Sequence, residues 1–166
     1  IMPWTIFRPT AVYGPGDKEL SPLLRATRYG VLPMVGKKTA RYSLIHVSDL
    51  VSAMLCWLIT NEHIKGVYEI DDGTHGGYSC YSLASIAQDV WKRPVRCFFI
   101  PVTLVSLFAE INLWLAGILQ YSPMLTPGKV REIRHPDWVC DISPLAQVLP
   151  NWQPGVRLRD ALMKAI

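Results

Sequence analysis

A strand-like run that stops abruptly constrains this chain most. In FRPTAVYGPGDKEL, residues 7–20, Phe7, Thr10, Ala11, Val12 and Tyr13 suit a buried strand. Gly14, Pro15, Gly16 and Asp17 then break it, and a helical pattern follows. Strand, tight loop and helix in that order fit an α/β sheet, whose carboxyl edge is where such folds hold ligands. The chain opens IMPWTIFRPTAV, already inside the apolar run. A strand buried on both faces needs neighbours, so the sequence reads as a fragment of a longer protein.

Hydrophobic periodicity supplies the other elements. Residues 4–13 read as one strand and 19–29 as a helix, with Ser21 as N-cap and Pro22 at the first helical position. Residues 31–46 look like a hairpin around Gly36-Lys37-Lys38, with Pro33 forcing its first strand to an edge. In the helix beginning near His46, Val47, Leu50, Val51, Met54, Leu55 and Leu58 make an apolar stripe, with Ser48 or Asp49 as cap. Leu50 and Met54 are therefore expected in the core. A strand over GVYEIDDG, a helix capped by Ser82 and a strand VRCFFI follow. Residues 101–120 are the most apolar segment. They are long enough to cross a bilayer, but Glu110 and Asn112 sit near the middle, and Thr103, Ser106, Glu110 and Gly117 align on one weakly polar face. This segment is expected to line a groove in a soluble protein, with membrane-surface association as the minor reading. Short helices at 126–135 and 143–149, and a last one burying Leu158, Leu162 and Ala165, complete the chain.

Composition narrows the function classes. The 166 residues are 50% hydrophobic and 18% charged, which excludes a disordered chain. The net charge of +4 is spread out, with no basic stripe interleaved with aromatics, which argues against nucleic-acid binding. The four cysteines have no metal-type spacing, and a reduced, cytoplasmic compartment fits them best. No metal site is expected.

No glycine-rich phosphate loop, no zinc motif, no G-x-S-x-G and no Tyr-x-x-x-Lys pair occurs in the chain. Of the four histidines, His46 alone stands near candidate ligand loops, and spacing by itself favours a structural role for it; His63, His75 and His135 read as loop residues. Asp71 and Asp72 could do acid–base work, although Asp-Asp-Gly is also an ordinary turn and the turn is favoured.

RPTAVYGPGD followed by YSLIHVSDLVSAM resembles the C-terminal part of the extended short-chain dehydrogenases/reductases, the NAD-dependent epimerase/dehydratase family. GVYEIDDG, YSLASIAQDV and LTPGKVREIRHPDWVCDISPLAQVL continue the likeness in order. The resemblance implies an α/β chain: the C-terminal portion of a Rossmann-type NAD(P)-binding fold, plus a small, mostly helical substrate domain. Residues 1–14 and 45–73 would be late Rossmann elements, and 15–44 and 74–166 the substrate subdomain. Pro9, Thr10, Ala11 and Val12 would meet the nicotinamide of NAD or NADP, and Tyr13, Arg41 and His46 the substrate. The catalytic Tyr and Lys would lie outside this chain, leaving it no catalytic residue of its own and the fragment inactive alone.

The implied reaction moves a hydride to or from a carbinol or ketone carbon of a small molecule, whether sugar-nucleotide, sterol-like or otherwise lipidic. Sugar-nucleotide members carry an Arg four residues before the motif at His46; that place here is Tyr42, with Arg41 one residue earlier. A one-residue shift along a strand reverses the face, which tilts the expectation toward a more hydrophobic substrate. The alternative is a non-catalytic Rossmann-type binding or assembly protein.

Overall fold

The computed structural model describes residues 4–60, 65–123 and 125–164; His63 and Ala165 lie outside them. Parallel pairing dominates. Strand β1 (Thr5–Pro9) pairs parallel with β6 (Gly66–Ile70), and β2 (Val12–Tyr13) pairs parallel with β5 (Ile45–His46). The strand expected over 4–13 is thus two strands: the chain bends at Thr10 and changes partner.

The hairpin expected over 31–46 does not form. Strand β3 (Val31–Val35) pairs parallel with β8 (Arg96–Ile100). Strand β4 (Arg41–Tyr42) lies between β7 (Tyr78–Ser79), antiparallel, and β9 (Asp137–Trp138), parallel. Turn composition cannot see such distant partners. Pro33 does sit where the expectation put it, on a strand with one neighbour.

The helices show similar adjustments. Helix α1 (Leu20–Ala26) continues as a 3-10 turn to Tyr29. Ser21 does not cap it: the Asp17 carboxylate accepts from the N–H groups of Glu19, Leu20 and Ser21. Helix α3 (Cys80–Trp91) starts three residues before the expected position, with Ser79 as N-cap and Ser82 returning the bond in a capping box.

Helix α2 (Val47–Ile59) is turned away from the expected stripe. Asp49 and Ala53 are buried, Leu50 is half-buried, and Val51, Met54, Leu55 and Leu58 face out, Met54 at 44% exposure. The reason is the bulk of Trp152, whose Nε1–H donates to Ser52 Oγ at 2.8 Å and which packs with Ile45, Ala53 and Ile70.

A larger core joins Tyr13, Leu24, Leu32, Leu83 and Ala87 to Leu158 and Leu162 of α7 (Leu158–Met163). Cys80 and Cys97 are joined by a disulfide. This corrects the reading of four reduced cysteines: packing of α3 on β8 brings their Cα atoms to 6.4 Å, within bridging range. A third, smaller cluster holds Val105 and Ala109 of α4 (Val102–Leu119) against Val130 of α5 (Pro127–Ile133).

Candidate functional site

The site forms where β2 and β5 end side by side. Tyr13 and His46 are register partners, so the Gly14–Gly16 loop and the start of α2 must leave the sheet together. The Tyr13 ring meets the His46 ring edge-on, with centroids 5.3 Å apart. Gly14 lies under the same imidazole: a Cβ there would come within 3.0 Å of His46 Nε2 and 2.8 Å of Val47 Cγ1. With φ at +140°, the position requires glycine on both counts.

His46 is itself the N-cap of α2. Its Nδ1 accepts from Ser48 N–H at 3.3 Å and lies 2.7 Å from Ser48 Oγ. Neither Ser48 nor Asp49 takes the cap position. A ring whose Nδ1 accepts carries its proton on Nε2, and Nε2 faces the strand-end loop. Asp49, one turn into α2, accepts instead from the N–H groups of Gly155 and Val156 at 3.0 and 2.8 Å.

Tyr13 is fully buried, and its hydroxyl has no hydrogen-bond partner among the described residues. Burial pushes the phenol well above its ordinary value, and the negative charge of Asp72 adds to this. Tyr13 therefore stays neutral.

Beneath the loop lies a buried polar network. Asp71 accepts from Ser43 Oγ at 2.6 Å and from Gly73 N–H; Ser43 Oγ in turn accepts from Cys140 N–H, and Cys140 Sγ lies 3.0 Å from Thr10 Oγ1. Asp72 accepts from Thr74 N–H and from the Tyr78 hydroxyl, and pairs with Arg157 at 3.7 Å. The turn read from Asp-Asp-Gly is present, but both carboxylates are also tertiary connectors. Burial raises the Asp71 carboxyl above the ordinary range, and raises the Cys140 thiol likewise, so Cys140 is not an activated nucleophile.

The predicted nicotinamide edge is partly engaged. Pro9 has no N–H, the Thr10 hydroxyl is held by Cys140, and the Ala11 carbonyl accepts from Ile45 N–H at 3.0 Å. The Thr10–Ala11 peptide falls where the β1–β6 ladder has ended and the β2–β5 ladder has not begun. A carboxamide could bond to the backbone there.

Arg41 is not brought to Tyr13 and His46. It lies on β4 and forms a 2.8 Å ion pair with Asp137 of β9. Helix α4 packs on α5, in a different cluster from Tyr13. The sequence reading missed Ser43, Thr10 Oγ1, Cys140 and Arg157 as members of the network. Their partners stand 28 to 130 residues away, and no local pattern marks such pairs.

The NAD dependent epimerase/dehydratase family matches residues 2–70, which hold this strand end and the His46 turn. The resemblance read from the sequence holds. The chain is 30% identical over 148 residues to the ceramide reductase of Caulobacter vibrioides, covering 88% of this chain and 45% of that protein. Over 100 residues it is 30% identical to NADH dehydrogenase [ubiquinone] 1 alpha subcomplex subunit 9, mitochondrial, of Arabidopsis thaliana, covering 57% of this chain and 24% of that one. The fold matches UDP-glucuronic acid 4-epimerase from Bacillus cereus, solved with UDP-glucuronic acid and NAD, at a TM-score of 0.63 and 20% identity, over 97% of this chain and 43% of that one. The chain thus spans less than half the length of each of these proteins.

Proposed function

We propose that this chain is the substrate-side portion of an NAD(P)-dependent oxidoreductase acting on a carbinol or ketone carbon of a lipidic molecule. The observation that carries the reading is the strand end itself. Tyr13, Gly14 and His46 converge at the carboxyl edge of parallel strands, within residues that match the family. The nicotinamide would supply or accept the hydride. The Thr10–Ala11 backbone break would hold its carboxamide, with Pro9 and Val12 fixing the strand on either side. The His46 Nε2–H would orient the substrate oxygen, with the buried Tyr13 ring holding the imidazole from below. The catalytic Tyr and Lys lie outside this chain, and residues 15–44 and 74–166 supply the substrate side.

Two observations favour a lipidic substrate over a sugar nucleotide. Arg41 is held in an ion pair with Asp137 on a different sheet from Tyr13. The ceramide reductase likeness extends over 88% of the chain, past residue 70 and into the helical part. The test is NAD(P)H consumption by the full-length protein with a ceramide-type ketone and, separately, product analysis of UDP-glucuronic acid incubated with the protein and NAD(P)+, for an oxidised or epimerised sugar. Turnover of the ketone alone supports the reading; turnover of the sugar nucleotide alone overturns the substrate class.

A second reading, a non-catalytic assembly subunit, is favoured by the likeness to the NADH dehydrogenase subunit. Dinucleotide binding without turnover of either substrate, together with co-purification in a larger complex, would select it.

A further inference from the structure

Helix α4 is a surface without a partner. It is 18 residues long and apolar enough to cross a membrane, yet only 17% of it is buried. Val105, Ala109 and Ala116 are the buried residues of its inward face, the first two packed against Val130 of α5. The outward arc carries Leu104, Leu107, Ile111, Trp114, Leu115 and Ile118, all exposed, with Trp114 at 67%. Solvent-exposed apolar patches of this kind mark interaction sites. The polar strip foreseen in the sequence, Thr103, Ser106, Glu110 and Gly117, runs along one side of the arc.

Charge sets the second condition. The groove at the start of α4 is lined by Gly36, Lys37, Val102, Thr103, Ser106 and Arg134. Lys37 and Arg134 are exposed, and among the described residues neither forms an ion pair. Two free cations thus flank one end of an apolar ridge. We infer that α4 docks the protein onto an anionic lipid bilayer surface, with its apolar arc among the acyl chains and Lys37 and Arg134 at the headgroups.

The helix lies in the interface and does not span it. At the C-terminal end the chain folds back along α4: Asn112 Nδ2 donates to Leu125 O at 3.0 Å, and the Tyr121 hydroxyl bonds to Asn112. Lys129 of α5 then pairs with Glu19 at 3.2 Å, and β8, at the other end, pairs with β3. Both ends of α4 therefore belong to one body on one side of the membrane.

The docking is independent of the substrate reading, because vesicle binding is measured with neither substrate nor dinucleotide. The full-length protein is sedimented with sucrose-loaded vesicles of phosphatidylcholine, with and without phosphatidylglycerol. Binding is expected, and stronger with phosphatidylglycerol. The double variant Ile111→Glu/Trp114→Glu should weaken it about tenfold or more, whereas Lys37→Glu/Arg134→Glu should lose only the preference for anionic lipid. The conservative variant Trp114→Phe should bind normally but lose fluorescence quenching by brominated acyl chains, which keeps the test valid if the glutamate variant misfolds. No binding to either vesicle, or binding and quenching indifferent to these changes, overturns the inference. So does α4 already protected from surface labelling in lipid-free protein, whether by a second copy or by the rest of the polypeptide.

Discussion

The strand-end region and helix α4 meet water in opposite ways. At the strand end the residues are fixed by their neighbours: Gly14 by the imidazole above it, Asp71 by Ser43, Asp49 by two backbone N–H groups. On α4, large apolar side chains stand in solvent with little to hold them. The first region is specified by the chain's own contacts. The second is specified only by what it will touch. Substitutions should therefore register as lost stability in one and as lost association in the other.

Replacing Ile45 by Ala should have the largest effect, because its side chain is fully buried among Ala53, Ile70 and Trp152. A loss of about 2–5 kcal/mol is expected in chemical denaturation. Trp114→Ala on α4 should cost less than about 0.5 kcal/mol by the same measurement. If the two losses are equal, α4 is core and the contrast fails.

Asp49→Ala comes next. It removes the acceptor for Gly155 and Val156 N–H, for a loss of about 1.5–3 kcal/mol. A loss of that size would separate Asp49 from a surface charge. Exposed Met54, one turn further along α2, should tolerate Ala with about 0.5 kcal/mol or less.

The pH dependence tests the buried network. Asp71 has a folded-state pKa raised above its ordinary value of 3.8, chiefly by burial. Its favourable contribution is full below pH 3.8 and is lost as pH rises through the folded value. Asn cannot ionise, so the Tm advantage of Asp71→Asn over the parent should grow as pH rises above 3.8. Asp17 works in the opposite sense. Burial pushes its carboxyl up, but the N–H donors of Glu19, Ser21 and Leu20 outweigh this and hold it below 3.8. Its contribution is present above that pH and is lost as pH falls through the lowered value. A parallel Tm shift for the two Asn variants across this range would refute the assignment.

The smallest effect on stability is expected for Tyr13→Phe. The hydroxyl it removes is buried and unpartnered, so stability should stay level or rise by about 1 kcal/mol. A fall in kcat/KM without any loss of stability would place that hydroxyl at the ligand. His46→Ala should likewise act on KM or kcat. If both variants lose only stability, Tyr13 and His46 are structural.

What the sequence revealed and what it hid follow one rule. Features encoded within a few residues were legible: the break at Gly14, helix formation after His46, the turn at Asp71–Gly73. Pairings between distant residues were not, as the β3–β8 ladder and the Cys80–Cys97 bridge show. The face of α2 was misjudged for a related reason. Its periodicity was visible, but the indole that claims the small-residue side arrives about 100 residues later. The same spacing hid the role of Asp49, a residue of cap-forming type that holds a remote loop instead.

That remote hold has a consequence for how the protein is made. Asp49 waits, one turn behind His46, for N–H groups that lie 106 and 107 residues further along the chain. On the ribosome, α2 emerges long before Gly155 and Val156, and domains synthesised this way complete their structure only as later segments arrive. Until then a carboxylate meant for a dry contact faces water, and the N-cap histidine ahead of it rests on an unfinished support. The strand-end turn around His46 is therefore among the last features to be braced during synthesis. A nascent chain halted before residue 155 would contain Tyr13, Gly14 and His46 without the brace behind them.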